Sequence, residues 1–255
     1  MGWGDELIAS GQARLMYEKE KHKVTILDRH GRIRYNDIWI NNPKIGHPKE
    51  SIYKPQVLKN GPGVRPYIKD KSDTQWAWNE WECPRGEIYF SDSELSAVSK
   101  YSPTVIIEPN NKQKASPNKN WGRGRWESLV LMLVRLGVDV WQMGPTGTQV
   151  FPNVRLIKTE DFRQACAVIS RAKVCVFPEG GLHHAAAALN IPAVVIFGGY
   201  ISPKVTGYEG HTNLFIESGG HGLGCGMRVE CRHCSDAMKS ITPGIVFEET
   251  KKYLV

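Results

Sequence analysis

The sequence predicts an α/β fold built around a parallel β-sheet. From residue 103 onward, short apolar runs alternate with segments whose apolar residues recur at helical spacing. Strands that alternate with helices indicate a parallel sheet with helices on both faces. Glycine-rich or polar loops follow several of the apolar runs, and such sheets bind ligands at the carboxyl ends of their strands. We therefore expect the chemistry of this chain in those loops.

The predicted elements follow from these patterns in chain order. A helix over 5–20 is indicated by a stripe that comprises Leu7, Ile8, Gly11 and Leu15. A short apolar strand covers Val24–Leu27, whereas residues 29–88 lack periodicity and predict loops, short strands and one helix at most. The later elements are strands at 104–107, 138–143, 174–177 and 193–197, and helices at 126–136, 161–171, 182–189 and 242–254.

Composition and length exclude several classes of protein. Apolar residues make up 41% of the 255 residues, which supports a buried core and excludes a disordered chain. The sequence has no apolar run of about 18 residues and no visible signal peptide. We therefore expect a protein without a transmembrane segment that stays in the cytoplasm, or in the host cytoplasm if a phage encodes it. Reduced cysteines fit that compartment.

The charge is positive and uneven along the chain. The formal net charge is +7, and residues 29–71 hold ten Lys or Arg against three Asp or Glu. Such an excess predicts a polyanionic partner: a nucleic acid, a phosphorylated glycan or an anionic membrane surface. We expect Arg32, Arg34 and Lys54 to contact that partner. The alternative is a solvated basic face.

Two loops at the same edge of the predicted sheet could hold phosphate groups. In residues 178–184, Gly180 and Gly181 allow close approach to the backbone, and the N–H groups at the start of the next helix favour an anion. His183 and His184 could add hydrogen-bond donors. The other loop, over 109–120, supplies lysines whose charge can stabilise a departing diphosphate. The alternatives are a tight turn over a packed histidine and a solvated lysine loop.

The segment Gly2-Trp3-Gly4-Asp5 opens the first predicted helix. It is not a dinucleotide-binding fingerprint, because no strand precedes it and a third glycine is missing, and it is not a P-loop. A carboxylate at the start of a helix is often only a cap. The functional alternative is that Asp5 acts as a general base facing a ligand cleft.

Several motifs together point to one family. They are Gly4-Asp5, Lys119-Asn120-Trp121, the run from Glu179 to Ala188, Pro192 to Gly198 with Pro203, and the cysteines Cys225, Cys231 and Cys234 followed by residues 241–246. This set resembles glycosyltransferase family 9, the heptosyltransferase-like enzymes of the GT-B fold. The resemblance is strong over 103–255 and thin over 1–102. The chain departs from the family pattern in lacking the first strand, in having Glu179-Gly180 for Asp-Thr, and in its short N-terminal part.

The resemblance implies a fold, an activity and a set of site residues. The fold would have two Rossmann-like lobes with a cleft between them, a reduced acceptor-side lobe over 1–102 and a donor lobe over 103–255. A sugar would move from a nucleotide-diphosphate sugar to an acceptor hydroxyl, with inversion of the anomeric centre and Asp5 as the base. The donor-binding residues would be Gly4, Lys114, Ser116, Lys119, Gly144, Glu160, Glu179, Gly180, Gly181, His183 and His184.

Metal ions enter these expectations at two places. The sequence has no Asp-x-Asp triplet, so we expect the diphosphate to be held by Lys119, backbone amides and a helix dipole, with no cofactor required. Glu179 would hydrogen-bond the sugar or orient Lys119. A separate cluster of Cys225, Cys231 and Cys234 with His221 offers ligands for zinc. The alternative is a reduced cluster without metal.

The acceptor and two rival functions stay open at this stage. A lipopolysaccharide or capsule glycan follows from the resemblance, and a hydroxymethylated DNA base of a phage would suit the basic segment. One rival is a non-catalytic nucleotide-sugar-binding module, which needs no carboxylate in its cleft. The other is a nucleic-acid-binding protein that stacks bases on Trp76, Trp78 and Trp81. The oligomeric state is not predicted.

Overall fold

Helices and strands alternate through the second half of the chain, as the sequence predicts. The computed structural model describes residues 2–51, 54–110, 116–144, 148–217, 220 and 222–254. Within these ranges the helices are α1 Trp3–Glu20, α2 Asp92–Val98, α3 Arg123–Arg135, α4 Phe162–Ile169, α5 Gly181–Ala188, α6 Pro203–Thr206, α7 Arg232–Ser240 and α8 Pro243–Lys251. The strands are β1 Val24–Leu27, β2 Gln56–Lys59, β3 Ile68–Lys71, β4 Trp76–Trp78, β5 Val105–Ile107, β6 Val140–Gly144, β7 Arg155–Lys158, β8 Val174–Pro178, β9 Ala193–Gly198 and β10 His211–Phe215.

A six-stranded parallel sheet forms the centre of the second half, in the order β10-β9-β8-β5-β6-β7. Strands β5, β8 and β9 are buried along their whole length because helices cover both faces. From β5 the chain proceeds to β6 and β7 on one side, and from β8 it proceeds to β9 and β10 on the other. Such a reversal leaves a crevice at the carboxyl ends of the two neighbouring strands. The fold therefore favours a ligand where β5 and β8 end.

Helices on both faces of the sheet complete the core. On one face, α3 and α8 pack together over a cluster that includes Trp121 and Trp126. On the other face lie α4 and α5, and α1 packs against α5. Gly4 permits this last contact, since a Cβ at its position would lie 2.6 Å from Cδ2 of His184. The close approach brings the start of α1 to the crevice.

The first hundred residues add two small sheets to this core. Strands β1 and β2 form a parallel pair, and β3 and β4 form an antiparallel pair. The backbone N–H of Trp76 donates to the carbonyl of Gly226 at 2.9 Å, and that of Arg228 donates to the carbonyl of Thr74 at 2.7 Å. The β3–β4 hairpin is therefore fastened to the C-terminal half. The predicted boundary between residues 102 and 103 stays a prediction.

Some details differ from the sequence-based expectations. Leu15 is half exposed rather than part of a buried stripe. Only the first half of α1 is enclosed, by α5 and by residues 84–86, whose backbone leaves no room for a Cβ on Gly11. Strands β7 (RLIK) and β10 (HTNLF) were not expected, because each has only two adjacent apolar residues beside polar ones. Among the helices in the described ranges, none combines the length and apolar content that a membrane crossing requires.

Candidate active site

A cavity of about 330 Å³ opens at the carboxyl ends of β5 and β8. The start of α1 forms one wall, and the strand ends with the start of α5, which touches α1, form the adjoining wall. The first half of the chain contributes Gly2, Trp3, Gly4, Asp5, Arg65, Tyr67, Trp76 and Trp78 to its lining. The second half contributes Glu108, Asn110, Ser116, Lys119, Phe162, Phe177, Pro178, Glu179, Gly180, Gly181, Leu182, His184, Tyr200, Ile201 and Arg228.

Asp5 lies in the first wall with its carboxylate held from three directions. Oδ2 accepts a hydrogen bond from the backbone N–H of Gly2 at 3.1 Å and lies 3.2 Å from Nη2 of Arg65. Oδ1 accepts a hydrogen bond from the hydroxyl of Tyr67. Burial and the adjacent carboxylate raise the pKa of Tyr67 well above its ordinary value, so the phenol stays protonated. Asp5 is thus a cap of α1 and also a fixed carboxylate in the cavity.

Lys119 and Glu179 form an ion pair in the adjoining wall. Lys119 ends a 3-10 turn that follows β5, and Glu179 directly follows β8. Burial raises the pKa of Glu179, but the charge and the hydrogen bond of the Lys119 ammonium outweigh it, and the pKa lies below its ordinary value. The carboxylate is therefore ionised at neutral pH. It holds the Lys119 ammonium at the strand ends, 5.2 Å from the ring centroid of Tyr200.

The start of α5 presents backbone N–H groups to the cavity. The N–H of Gly180 donates to Nδ1 of His183 at 2.9 Å, and Nε2 of that ring is 2.9 Å from the carbonyl oxygen of Thr206. Gly180 and His183, which were both expected to donate to a ligand, thus hydrogen-bond to each other in this structure. His183 is fully buried and both of its ring nitrogens are engaged. An anion at this helix has to use the amides from Gly181 onward.

His184 stands in the cavity wall beside Gly4. Its Nδ1 is 2.7 Å from the hydroxyl of Tyr208. Burial lowers the pKa of His184 well below its ordinary value, so the ring is neutral. Ligand atoms of Glu179, His183 and His184 lie within 4.8 Å of one another. Both ring nitrogens of His183 already contact backbone groups, and Glu179 is paired with Lys119. We therefore do not assign a metal to this group.

The structure brings most of the predicted donor-binding residues together. Those that line the cavity are Gly4, Ser116, Lys119, Glu179, Gly180, Gly181 and His184. The hydroxyl of Ser116 donates to the carbonyl of Met227 at 2.7 Å, so it serves the turn that carries Lys119. Gly144 and Glu160 are not among the described residues that line the cavity. Lys112 and Lys114 lie outside the described residues.

The predicted acceptor-side residues do not form one basic surface. Arg34 is paired with Glu6, with Nη2 and Oε1 2.6 Å apart, so its charge is compensated inside the protein. Arg32 and Lys54 lie on exposed loops. Charge reversal at these positions is therefore a poor test of acceptor binding.

Other cations surround the Trp76 indole at the cavity. The distances from the charged atom to the ring centroid are 4.7 Å for Arg228, 5.5 Å for Lys71 and 5.7 Å for Arg65. Arg65 and Tyr67 lie in the segment without periodicity, and Arg228 lies in the cysteine-rich segment. No sequence motif marks them, and only the fold brings them to the cavity.

Glu108 is a further carboxyl group in the cavity wall that the sequence analysis did not select. It follows β5 directly, and its Oε1 accepts hydrogen bonds from the backbone N–H of Asn110 at 2.8 Å and from its side-chain amide at 2.7 Å. Burial raises the pKa of Glu108 to about 7. Its position directly after a buried strand was the signal that could have identified it.

A cysteine cluster lies next to the cavity, in the segment that carries Arg228. The sulfur of Cys225 is 3.1 Å from that of Cys234 and 3.8 Å from that of Cys231. The ligand atoms of these cysteines and of His233 all lie within 4.8 Å of one another. The hydrogen bond with Cys234 lowers the pKa of Cys225 to about 5. The expected ligand His221 lies outside the described residues, and His233 takes the fourth position in this group.

Comparisons with solved structures agree with this fold. The glycosyl transferase family 9 protein from Veillonella parvula is 11% identical, with a TM-score of 0.63 over 100% of this chain and 95% of that chain. ADP-heptose LPS heptosyltransferase II from E. coli is 24% identical, with a TM-score of 0.49 over 66% of this chain and 53% of that chain. The iron-containing dodecameric glycosyltransferase TibC from enterotoxigenic E. coli is 18% identical, with a TM-score of 0.48 over 60% of this chain and 46% of that chain.

The chain thus matches about half the length of the two E. coli enzymes. No curated protein sequence matches it. The predicted GT-B-like α/β fold class is confirmed, since the match to the Veillonella protein extends over the whole chain. The family model for glycosyltransferase family 9 (heptosyltransferase) matches residues 73–217, which is more than half of the sequence. The chain therefore belongs to glycosyltransferase family 9.

Proposed function

We propose that this protein transfers a sugar from a nucleotide-diphosphate sugar to an acceptor hydroxyl, without a metal ion at the diphosphate. One observation carries the proposal: the Asp5 carboxylate of α1, the Lys119 ammonium and the start of α5 all line the same cavity. A base on one side and an anion site on the other are what a direct displacement at an anomeric carbon requires.

The donor diphosphate would lie at the start of α5. The amides of Gly181 and Leu182 and the positive end of the helix favour an anion there. Lys119 supplies a full positive charge from the adjacent strand end, and Glu179 orients that ammonium. Positive charge that is already in place stabilises the diphosphate as it departs, so this step needs no divalent cation.

Asp5 would act as the base on the acceptor. Tyr67 and Arg65 hold the carboxylate in one orientation, and Oδ1 keeps lone-pair capacity beyond the hydrogen bond from Tyr67. The acceptor hydroxyl gives its proton to Asp5 as its oxygen bonds to the anomeric carbon. The bond from that carbon to the diphosphate breaks with its electron pair on the diphosphate. Attack opposite the leaving group inverts the anomeric centre.

The acceptor would be polyanionic, and we place its charged groups near Trp76. Arg65, Lys71 and Arg228 surround that indole, and Arg65 and Arg228 also line the cavity. A phosphorylated glycan is the first candidate, on family grounds. A hydroxymethylated DNA base is the second, because the same cations would contact a phosphate backbone.

A metal ion would have a structural role in the cysteine cluster. Three thiols and an imidazole within 4.8 Å suit a tetrahedral zinc site or an iron site. The ion would be held by Cys225, Cys231, Cys234 and His233. It would fix the segment that carries Arg228, at a place separate from the diphosphate. Its presence can be measured by elemental analysis of the purified protein and of Cys225→Ser.

The proposal is tested by donor binding in the presence of EDTA. Melting temperatures are measured with ADP-, UDP- and GDP-linked sugars, since a ligand that binds the folded state raises the melting temperature. We expect one nucleotide class to stabilise the protein equally with EDTA and with magnesium. Binding that EDTA abolishes and magnesium restores would contradict the proposal. A melting scan of the protein alone, with and without EDTA, is the control for loss of metal from the cysteine cluster.

A non-catalytic sugar-nucleotide-binding module is the second candidate. It is favoured by one observation, which is that Asp5 already caps α1 through the N–H of Gly2. Such a module would bind the same donor but would not need the carboxylate for transfer. Substitution of Asp5 therefore separates the two functions, as set out below.

A further inference from the structure

Three parts of the chain hold the ring of His184. The hydroxyl of Tyr208 contacts Nδ1 at 2.7 Å, and the ring of His183 lies with its centroid 4.0 Å away. Gly4 borders the third side, where a Cβ would be 2.6 Å from Cδ2 and 3.1 Å from Nε2. With Nδ1 engaged, Nε2 is the ring nitrogen that can face a ligand in the cavity.

The proton positions follow from a chain of hydrogen bonds behind the ring. The sulfur of Cys83 lies 3.2 Å from the hydroxyl of Tyr208. Burial raises the pKa of Cys83 to about 12 and that of Tyr208 well above its ordinary value, so both groups keep their protons. Sulfur is a weak acceptor and an imidazole nitrogen is a strong one, so Tyr208 donates to His184 and accepts from Cys83. A neutral His184 whose Nδ1 accepts has its proton on Nε2.

We propose that Cys83 and Tyr208 are positioning residues that fix His184 as the Nε2-protonated tautomer, and that this N–H donates to the diphosphate of the donor. The second part rests on the proposed function. A ring nitrogen of His184 lies within 4.8 Å of a carboxylate oxygen of Glu179, the partner of Lys119. His184 would therefore share the diphosphate with Lys119. Because its Nε2 is already protonated, it cannot compete with Asp5 for the proton of the acceptor.

The tautomer is tested in the free protein, where the proposed function has no influence. The ¹⁵N spectrum of the histidine side chains is recorded for the wild type and for Tyr208→Phe, and His184 is identified as the signal missing from His184→Gln. We expect a neutral ring with Nε2 protonated in the wild type, and a mixture of tautomers in Tyr208→Phe. A wild-type ring protonated on Nδ1 would overturn the proposal.

Binding of ADP, UDP and GDP tests the contact with the diphosphate. For the nucleotide that binds the wild type most tightly, we expect His184→Ala to lose about 10- to 100-fold in affinity, because a hydrogen bond to a charged group is removed. His184→Gln, which keeps a donor at a similar reach, should recover part of that loss. Tyr208→Phe should lose less nucleotide affinity than His184→Ala, and Cys83→Ala should lose less than Tyr208→Phe. Cys83→Ser should have the affinity of the wild type.

A matched control separates positioning from general damage. Tyr253→Phe removes another tyrosine hydroxyl bond, to Thr212 at 2.9 Å, away from the cavity. Its nucleotide affinity should equal that of the wild type. Equal affinities for His184→Ala and the wild type would refute the contact. If no nucleotide binds the wild type, the proposed function fails, while the ¹⁵N spectra still decide the tautomer.

Discussion

Two helix starts lie in contact beside the cavity, and they are capped in the same way by different residues. Helix α1 has Gly2 before its first residue and Asp5 as its third, and the carboxylate of Asp5 accepts from the N–H of Gly2. Helix α5 has Gly180 before its first residue and His183 as its third, and Nδ1 of His183 accepts from the N–H of Gly180.

The difference between the caps is their charge. A carboxylate compensates the partial positive charge at the start of α1, whereas a neutral imidazole leaves that of α5 in place. Burial lowers the pKa of His183 below its ordinary value, which keeps the ring neutral. One helix start thus presents a base, and the other presents an anion site.

The largest effect is expected at the charged cap. Asp5→Asn keeps an oxygen that can cap α1 but removes the base, so the rate of transfer should fall by about 10²- to 10⁴-fold. Donor affinity should not change, because the diphosphate lies at α5. The measurement is kcat and the KM for donor, with melting temperature as the check on folding. A folded variant that transfers at the wild-type rate would make Asp5 only a cap and would favour the binding module.

Lys119→Ala tests the wall that holds the anion site. It should raise the barrier to transfer by about 2–4 kcal/mol, since the ammonium stabilises the leaving diphosphate. Donor affinity should also fall, which distinguishes it from Asp5→Asn. Lys252→Ala is the matched control, because Lys252 also pairs with a glutamate, Glu249, but on α8. Similar small effects for both lysines would mean that the Lys119 loop is only a solvated surface.

Glu108, in the cavity wall, should make stability depend on pH. Its pKa is about 7 in the folded protein against an ordinary value of 4.5, so the folded state holds a proton that the unfolded state has lost. The contribution of Glu108 to stability is therefore present below about pH 4.5 and is lost as the pH rises to about 7, by roughly 3 kcal/mol.

Substitution isolates that contribution. Glu108→Gln carries no charge at any pH, so it should be more stable than the wild type at pH 8 and nearly equal to it at pH 4.5. Urea unfolding of both proteins at the two values measures the difference. An equal change in stability at both pH values would show that Glu108 acts through packing and not through its charge.

The smallest effect is expected when the neutral cap is given a charge. His183→Asp makes the start of α5 resemble that of α1, and it should weaken nucleotide binding about fivefold, because about 1 kcal/mol of favourable helix-end interaction is lost. Since the new carboxylate would be buried beside Glu179, the melting temperature is the check that the variant folds. His183→Asn can also cap Gly180 but is uncharged, and it should bind nearly as well as the wild type. Both variants are titrated with the nucleotide that binds the wild type most tightly, and their affinities are compared. Identical affinities would show that the charge of the cap does not matter.

The sequence was sufficient for the sheet and for the two loops that supply Lys119 and Glu179. Apolar runs and glycines are local signals, and the carboxyl ends of neighbouring parallel strands meet without further information. It was not sufficient for Arg65 and Tyr67, which reach Asp5 from a segment without periodicity. Nor could it show that His183 occupies the Gly180 amide while His184 faces the cavity, since adjacent histidines look alike until the helix start is built.

The β3–β4 hairpin links the two walls of the cavity by unequal attachments. Towards the second half, its ties include backbone hydrogen bonds to Gly226 and from Arg228. Towards α1, Arg65 and Tyr67, which precede β3, contact Asp5 through their side chains. Because α1 packs against α5, Asp5 belongs to a helix that is docked on the second half of the chain, while the side chains that orient its carboxylate come from the first half. A substitution in the segment before β3 can therefore change the orientation of the carboxylate without displacing α1.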